Sequence, residues 1–199
     1  MKIVLIALSM FLMSGCIAVK PTITEYKINT ESIKRVPIIA NECKDKTLRI
    51  SQAFSQSSLM SHKMCYTEFQ NRVYSYTQSQ WQETPNNFLT QELLKNMRDS
   101  NLFKTVLSSK SRSKSDLILE SSIDEFMQYY SDDAKKLHVD VAITLTLIDA
   151  KDATVKSTQT FTSKLDAKTA DAAGGVEAIN RALEEIFSKN IEWIEGVCR

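Results

Sequence analysis

Few side-chain groupings in this chain are able to support chemistry. His138 and Asp140 stand two apart in the segment Leu137-His138-Val139-Asp140. On an extended strand that spacing puts both on one face, about 6.6 Å apart. Ser121 or Ser131 would complete a hydrolytic triad on paper. A serine nucleophile needs an imidazole that a carboxylate orients and, in the elbow arrangement, flanking glycines. No serine here has those glycines, and a His–Asp pair at this spacing does not orient the ring. His62 lies in a polar stretch and is expected in solvent. Asp132-Asp133 before Lys135-Lys136 makes a mixed-charge turn without the alternating oxygen donors of a calcium loop. Gly174-Gly175 would open a helix onto an anion; without the rest of a glycine-rich loop it reads as a flexible helix entry. Lys110, Arg112 and Lys114, interleaved with serines, form a solvated basic loop, with anionic headgroups as the alternative partner. The sequence lacks GxxxxGK[ST], so it carries no such ATP-binding loop. The expectation is a chain without catalytic site, metal or cofactor.

The cysteines point elsewhere. Met1-Lys2 precedes an apolar run from Ile3 to Met13, and Ser14-Gly15-Cys16 follows. That run is too short to span a membrane and has the charge and ending of a secretory signal. Met13-Ser14-Gly15-Cys16 resembles a bacterial lipobox, in which the cysteine is lipidated and residues 1–15 are removed. The mature chain then has 199 − 15 = 184 residues. A plain signal peptide with a nearby cysteine is the alternative. Several acyl chains on Cys16 would anchor it almost irreversibly, at about 0.8 kcal/mol per buried CH₂. Ile17, where an inner-membrane retention signal of enterobacteria would have Asp, favours the outer membrane. Cys43, Cys65 and Cys198 then sit in an oxidising compartment. They allow one disulfide and one free thiol, and three pairings are open. Cys43–Cys198 is favoured because both lie just outside the regular core. No pair has the close spacing of a metal site.

The elements come next. Acidic and basic residues nearly cancel, 24 against 25, which gives no field for nucleic acid. Four glycines and three prolines suit a regular fold. Residues 16–46 read as a tether with a short strand near Thr24. Leu48, Ile50, Gln52 and Phe54 alternate as the first firm strand. Met64–Phe69 and Val73–Thr77 form a hairpin. After Trp81 and Pro85, Leu89, Leu93 and Met97 mark one helix stripe. Phe103–Leu107 is a short strand. Leu117–Tyr129 is a long strand with a change of phase near Asp124-Glu125 that predicts a bulge. Leu137 to Leu147 alternates strictly, and Val155–Leu165 returns. Val176, Ile179, Leu183, Ile186 and Trp193-Ile194 stripe a last helix, interrupted by Asn190. Residues 47–199 are thus expected as one α+β domain: an antiparallel sheet, one face wet, with two helices on the other.

In their order these features resemble the ABC-type transport auxiliary lipoproteins of the paraquat-inducible protein C type. The matching features are Cys16, Tyr26, the strand Leu48–Phe54, Met64-Cys65-Tyr66, Val73-Tyr74-Ser75-Tyr76, Trp81 before Pro85, Ser100-Asn101-Leu102-Phe103, Leu147-Ile148-Asp149-Ala150 and the closing helix with Trp193. The chain departs in its lysine-rich tether and its extra cysteines. The resemblance implies a non-enzymatic, lipid-anchored periplasmic part of a phospholipid-moving system. Its partners would be an ABC ATPase, a permease and an MCE-domain protein, with a homo-oligomer also open. A stand-alone structural or host-contact envelope lipoprotein is the rival reading.

Overall fold

A computed structural model describes residues 22–30, 42–68 and 72–199. Cys16 with its lipobox, most of the tether, and Phe69 with the expected turn at Gln70-Asn71 lie outside the described residues. Nine strands, two α-helices and one short 3-10 helix (Ser57–Met60) follow in chain order among the described residues. The strands are β1 (Thr24–Tyr26), β2 (Thr47–Ile50), β3 (Phe54–Ser55), β4 (Lys63–Glu68), β5 (Arg72–Trp81), β6 (Thr105–Leu107), β7 (Leu117–Tyr130), β8 (Leu137–Asp149) and β9 (Val155–Asp166). The helices are α1 (Pro85–Asp99) and α2 (Ala172–Val197).

β7 is the axis of the sheet. Along one side it pairs antiparallel with the whole of β8, which pairs in turn with β9. Along its other side β2, β3 and β4 are laid end to end, all parallel to β7. β6 extends the sheet beyond β2, and β5 then β1 extend it beyond β4. The α+β class holds, but the sheet is mixed and not wholly antiparallel. Hairpins supply the antiparallel pairs; the short early strands reach β7 from afar and take its direction. The register of β7 on β8 slips between Ile123 and Glu125, the bulge that the sequence phase predicts.

Alternation explains the core. Leu137, Val139, Val141, Ile143, Leu145 and Leu147 of β8 are all buried, while the residues between them are only partly covered. β7 buries Leu117, Leu119 and Ile123 on the same face. α2 packs over β8 and β9, and α1 packs over β2 and β6 and touches α2. A buried Leu on such a face contributes about 1.5–3 kcal/mol over an exposed one. At the start the expected phase fails. Leu48 and Ile50 face in, but Ala53 and Ser55 replace Gln52 and Phe54 there, and Phe54 is 69% exposed. The break between β2 and β3 shifts the phase by one residue, which turns every later side chain over.

The ends of the helices are set locally. Pro85 occupies the first turn of α1, and Glu83 Oε1 accepts from the Thr84 backbone N–H (2.9 Å) and Asn87 Nδ2 (3.1 Å). Asn101, at φ 56°, turns the chain away after α1 in the left-handed region that Asn tolerates. The short strand expected at Phe103–Leu107 follows as β6. Asp171 caps α2 by accepting from Gly174 N–H at 2.8 Å. β1 pairs with β5 inside the segment expected as tether, so folded structure begins before residue 47.

Candidate functional site

His138 and Asp140 do share the wet face of β8, with Nε2 3.8 Å from Oδ1. The imidazole stacks flat on Tyr129, ring centroids 5.1 Å apart, and Lys164 also engages Asp140 at 3.3 Å. Ser121 is buried on the core side of the sheet, and Ser131 bonds within its own turn to Asp133 and the Lys136 carbonyl. The structure brings no serine to the pair, and the face is a cross-strand mesh of charge and aromatic contact. His62 is exposed, as expected, and its Nδ1 lies 2.9 Å from the Trp81 carbonyl. Asp133 accepts from Ser131 and from the Lys135 backbone, as in an ordinary turn. No three metal-ligating side chains cluster among the described residues. No helix among them is long and apolar enough to cross a membrane.

Two ends of the sheet remain as candidate surfaces. At the end where β7 finishes, β4 and β5 bring Tyr66, Tyr74 and Tyr76 beside Tyr130 of β7. Tyr66 sits at the centre, 5.6 Å from Tyr74, 4.5 Å from Tyr76 and 5.4 Å from Tyr130 between ring centroids. Tyr76 donates to Oε1 of buried Gln128 at 2.9 Å, so the 2.8 Å contact with Tyr130 has Tyr130 as donor. Burial pushes the Tyr76 phenol far above its usual range. Burial likewise raises Tyr130 and Tyr66. Nearby Tyr129 is pushed up to about 12, by burial and then by its bond to Glu125.

Gly174-Gly175 belongs to this end, and not as a flexible entry. Both residues lie buried inside the first turns of α2. A Cβ on Gly175 would stand 2.1 Å from the Gln128 carboxamide oxygen, and one on Gly174 would stand 2.2 Å from the Thr169 carbonyl. The glycines let α2 descend onto β7 and its polar cluster. Periodicity alone misses this role, because the partner, Gln128, is a polar residue at an inward position of a strand. Gln128 Nε2 has no hydrogen-bond partner among the described residues.

The opposite end is closed. Cys43 and Cys198 form a disulfide, with Cα atoms 5.4 Å apart, and the Glu42 backbone N–H donates to the Cys198 carbonyl at 2.6 Å. Cys65 is the free cysteine among the described residues. Beside the clasp, Arg49 Nη1 donates to the Ser111 carbonyl at 2.6 Å, and Nη2 donates to that of Ser113. These bonds pin the basic serine-rich loop, leaving Lys110, Arg112 and Lys114 in solvent. A hollow of about 760 Å³ opens there, lined by Lys46, Arg49, Lys114, Asp116, Asp149 and Lys151 among others, with mixed charge.

Comparison with known proteins fixes the relationship. No curated protein matches the sequence. Among solved structures, a Xanthomonas campestris protein of family DUF330 superposes with a TM-score of 0.75 at 17% identity, over 87% of this chain and 95% of that one. An uncharacterised protein superposes at 0.62 and 15% identity, over 83% and 99%. These likenesses show the fold. The family model for the ABC-type transport auxiliary lipoprotein component matches residues 46–189, from the strand that starts the sheet to deep within α2. The chain belongs to the family of ABC-type transport auxiliary lipoprotein components.

Proposed function

We propose that the protein is a non-catalytic adaptor, anchored through lipidated Cys16 at the periplasmic face of the outer membrane, in an ABC transport system that moves phospholipid with an MCE-domain partner. The family match over residues 46–189 carries this reading, and the lipobox ending in Cys16 supports it. Residues 1–15 would be the signal, and the chain from Cys16 to β1 the tether. No nucleophile stands with its base among the described residues; on this reading the adaptor binds and positions while its partners supply energy. A stand-alone envelope lipoprotein is the competing reading.

Crosslinking in intact cells, then recovery of the protein from solubilised membranes, separates the two. The adaptor reading expects an MCE-domain protein or the transporter's permease among the crosslinked partners, lost in Cys16→Ser. Recovery of the protein crosslinked to nothing but its own copies contradicts it.

A further inference from the structure

We propose that the tyrosine end of the domain rests in the headgroup region of the membrane that holds Cys16. The proposal rests on the lipid-anchor reading above and adds an orientation to it.

Strand direction locates the anchored end. β1 is parallel to β5, β5 antiparallel to β4, and β4 parallel to β7. β1 therefore runs opposite to β7, and the chain preceding Thr24 leads toward the end where β7 finishes. That is the end carrying Tyr66, Tyr74 and Tyr130. The β7–β8 connection lies there too.

Reach gives the same answer independently. Lys63 pairs with Gln80 and Tyr66 with Gln128, so Thr24, opposite Ser79, stands level with Phe126 on β7. Cys16 precedes Thr24 by 24 − 16 = 8 residues, and such a tether spans at most about 28 Å. Tyr130 is 130 − 126 = 4 residues up the strand, about 13 Å. Leu117 is 126 − 117 = 9 residues down, about 30 Å, and the basic loop lies beyond it. A tether doubled back and fully stretched still falls short of that loop. With Cys16 in the bilayer, the tyrosine end lies near the membrane and the Lys110–Lys114 loop faces away.

The chemistry at the near end suits a headgroup layer. Val73 is 60% exposed and Tyr74 39%, and Ile23, which precedes β1, is 51% exposed. Tyrosines pair an apolar ring with a polar tip, the composition enriched where membrane meets water. The charges flanking them in sequence, Arg72, Lys135 and Lys136 against Glu68, Asp132 and Asp133, balance, and Asp171 adds one negative charge beside Tyr76 and Tyr130. Rings, and not a field, would make the contact.

The test uses the full lipidated protein with Cys65→Ser, which leaves no free thiol beside the disulfide. An environment-sensitive fluorophore is placed at Val73→Cys or at Arg112→Cys, both exposed positions. The proteins are reconstituted into phosphatidylcholine vesicles, with and without lipids brominated on their acyl chains. The expected result is blue-shifted emission and several-fold stronger bromine quenching at position 73, with position 112 unaffected. Equal quenching at both, stronger quenching at 112, or none at either in protein that floats with vesicles overturns the orientation and leaves the anchor intact. A shift at 73 that ignores bromine and grows with protein concentration also overturns it, since a second copy then covers the patch. The anchor has its own readout: a Cys16→Ser protein that floats as well as wild type overturns the anchor, and the orientation with it.

Discussion

The two ends of the sheet are built on opposite principles. At the end where β7 starts, a disulfide joins Cys43 to Cys198 and Arg49 holds a loop by its backbone carbonyls. At the end where β7 finishes, the contacts are rings and phenol hydroxyls around Gln128. The first end is held by covalent and charge-assisted bonds. The second is held by a polar cluster whose outer members, Val73 and Tyr74, are exposed. One end secures the fold while the other keeps a surface available.

The largest effect that tests this contrast is loss of the clasp. The disulfide spans 155 residues of sequence, and its removal by Cys43→Ser with Cys198→Ser should cost about 2–5 kcal/mol. Denaturant melts would show the loss, and hydrogen exchange should rise at 42–46 and the end of α2 while the tyrosine end keeps its protection. Matching deprotection at both ends would break the contrast.

Gly175→Ala comes next and attacks the other end. The added Cβ would lie 2.1 Å from the Gln128 oxygen, so helix or carboxamide must shift, at about 1–3 kcal/mol. Exchange should rise around Gln128 and Tyr76 and stay unchanged at the clasp. Wild-type stability would contradict the close approach.

How much of this was legible in the sequence differs along the chain. β8 announces itself through an unbroken alternation, and the bulge through one slip of phase at Asp124-Glu125. Both are local signals of period two, and the structure keeps them. The direction of β2, β3 and β4 is not local, because it depends on which edge of β7 they meet after long connections. The phase break before Ala53 is likewise invisible, since Phe54 is the apolar residue that a pattern reader puts inside. The tyrosines read only as good strand residues. Their grouping arises where β4, β5 and β7 meet, and Gly175 against Gln128 is a contact of residues 47 positions apart (175 − 128 = 47).

Asn190 sharpens the account of the clasped half of α2. It is fully buried, and neither its carboxamide oxygen nor its nitrogen has a partner among the described residues. Asn190→Ala should therefore stabilise the protein by about 1 kcal/mol, because the relief of two unpaired polar atoms exceeds the small cavity left behind. A clear loss in a thermal melt would mean that the amide is satisfied by something bound.

The smallest effect is a titration. The Tyr76 phenol is raised above its ordinary 10.0, chiefly by burial. A group whose folded pKa is raised keeps its full contribution below the unfolded value and loses it as pH climbs beyond. Stability should be flat in the neutral range and decline above about pH 10, with the tyrosine end loosening before the clasp. Tyr76→Phe should shrink that alkaline decline and cost about 1 kcal/mol at neutral pH, by leaving Gln128 Oε1 without its donor. An unchanged decline would move the origin to other tyrosines.

The central claim is that this fold is held at a membrane by its first cysteine, and intact mass measurement of the protein purified from membranes tests it most directly. The account expects a chain beginning at Cys16, heavier than its sequence by a diacylglyceryl group and an amide-linked acyl chain. A chain retaining residues 1–15, or one with unmodified Cys16, would contradict it.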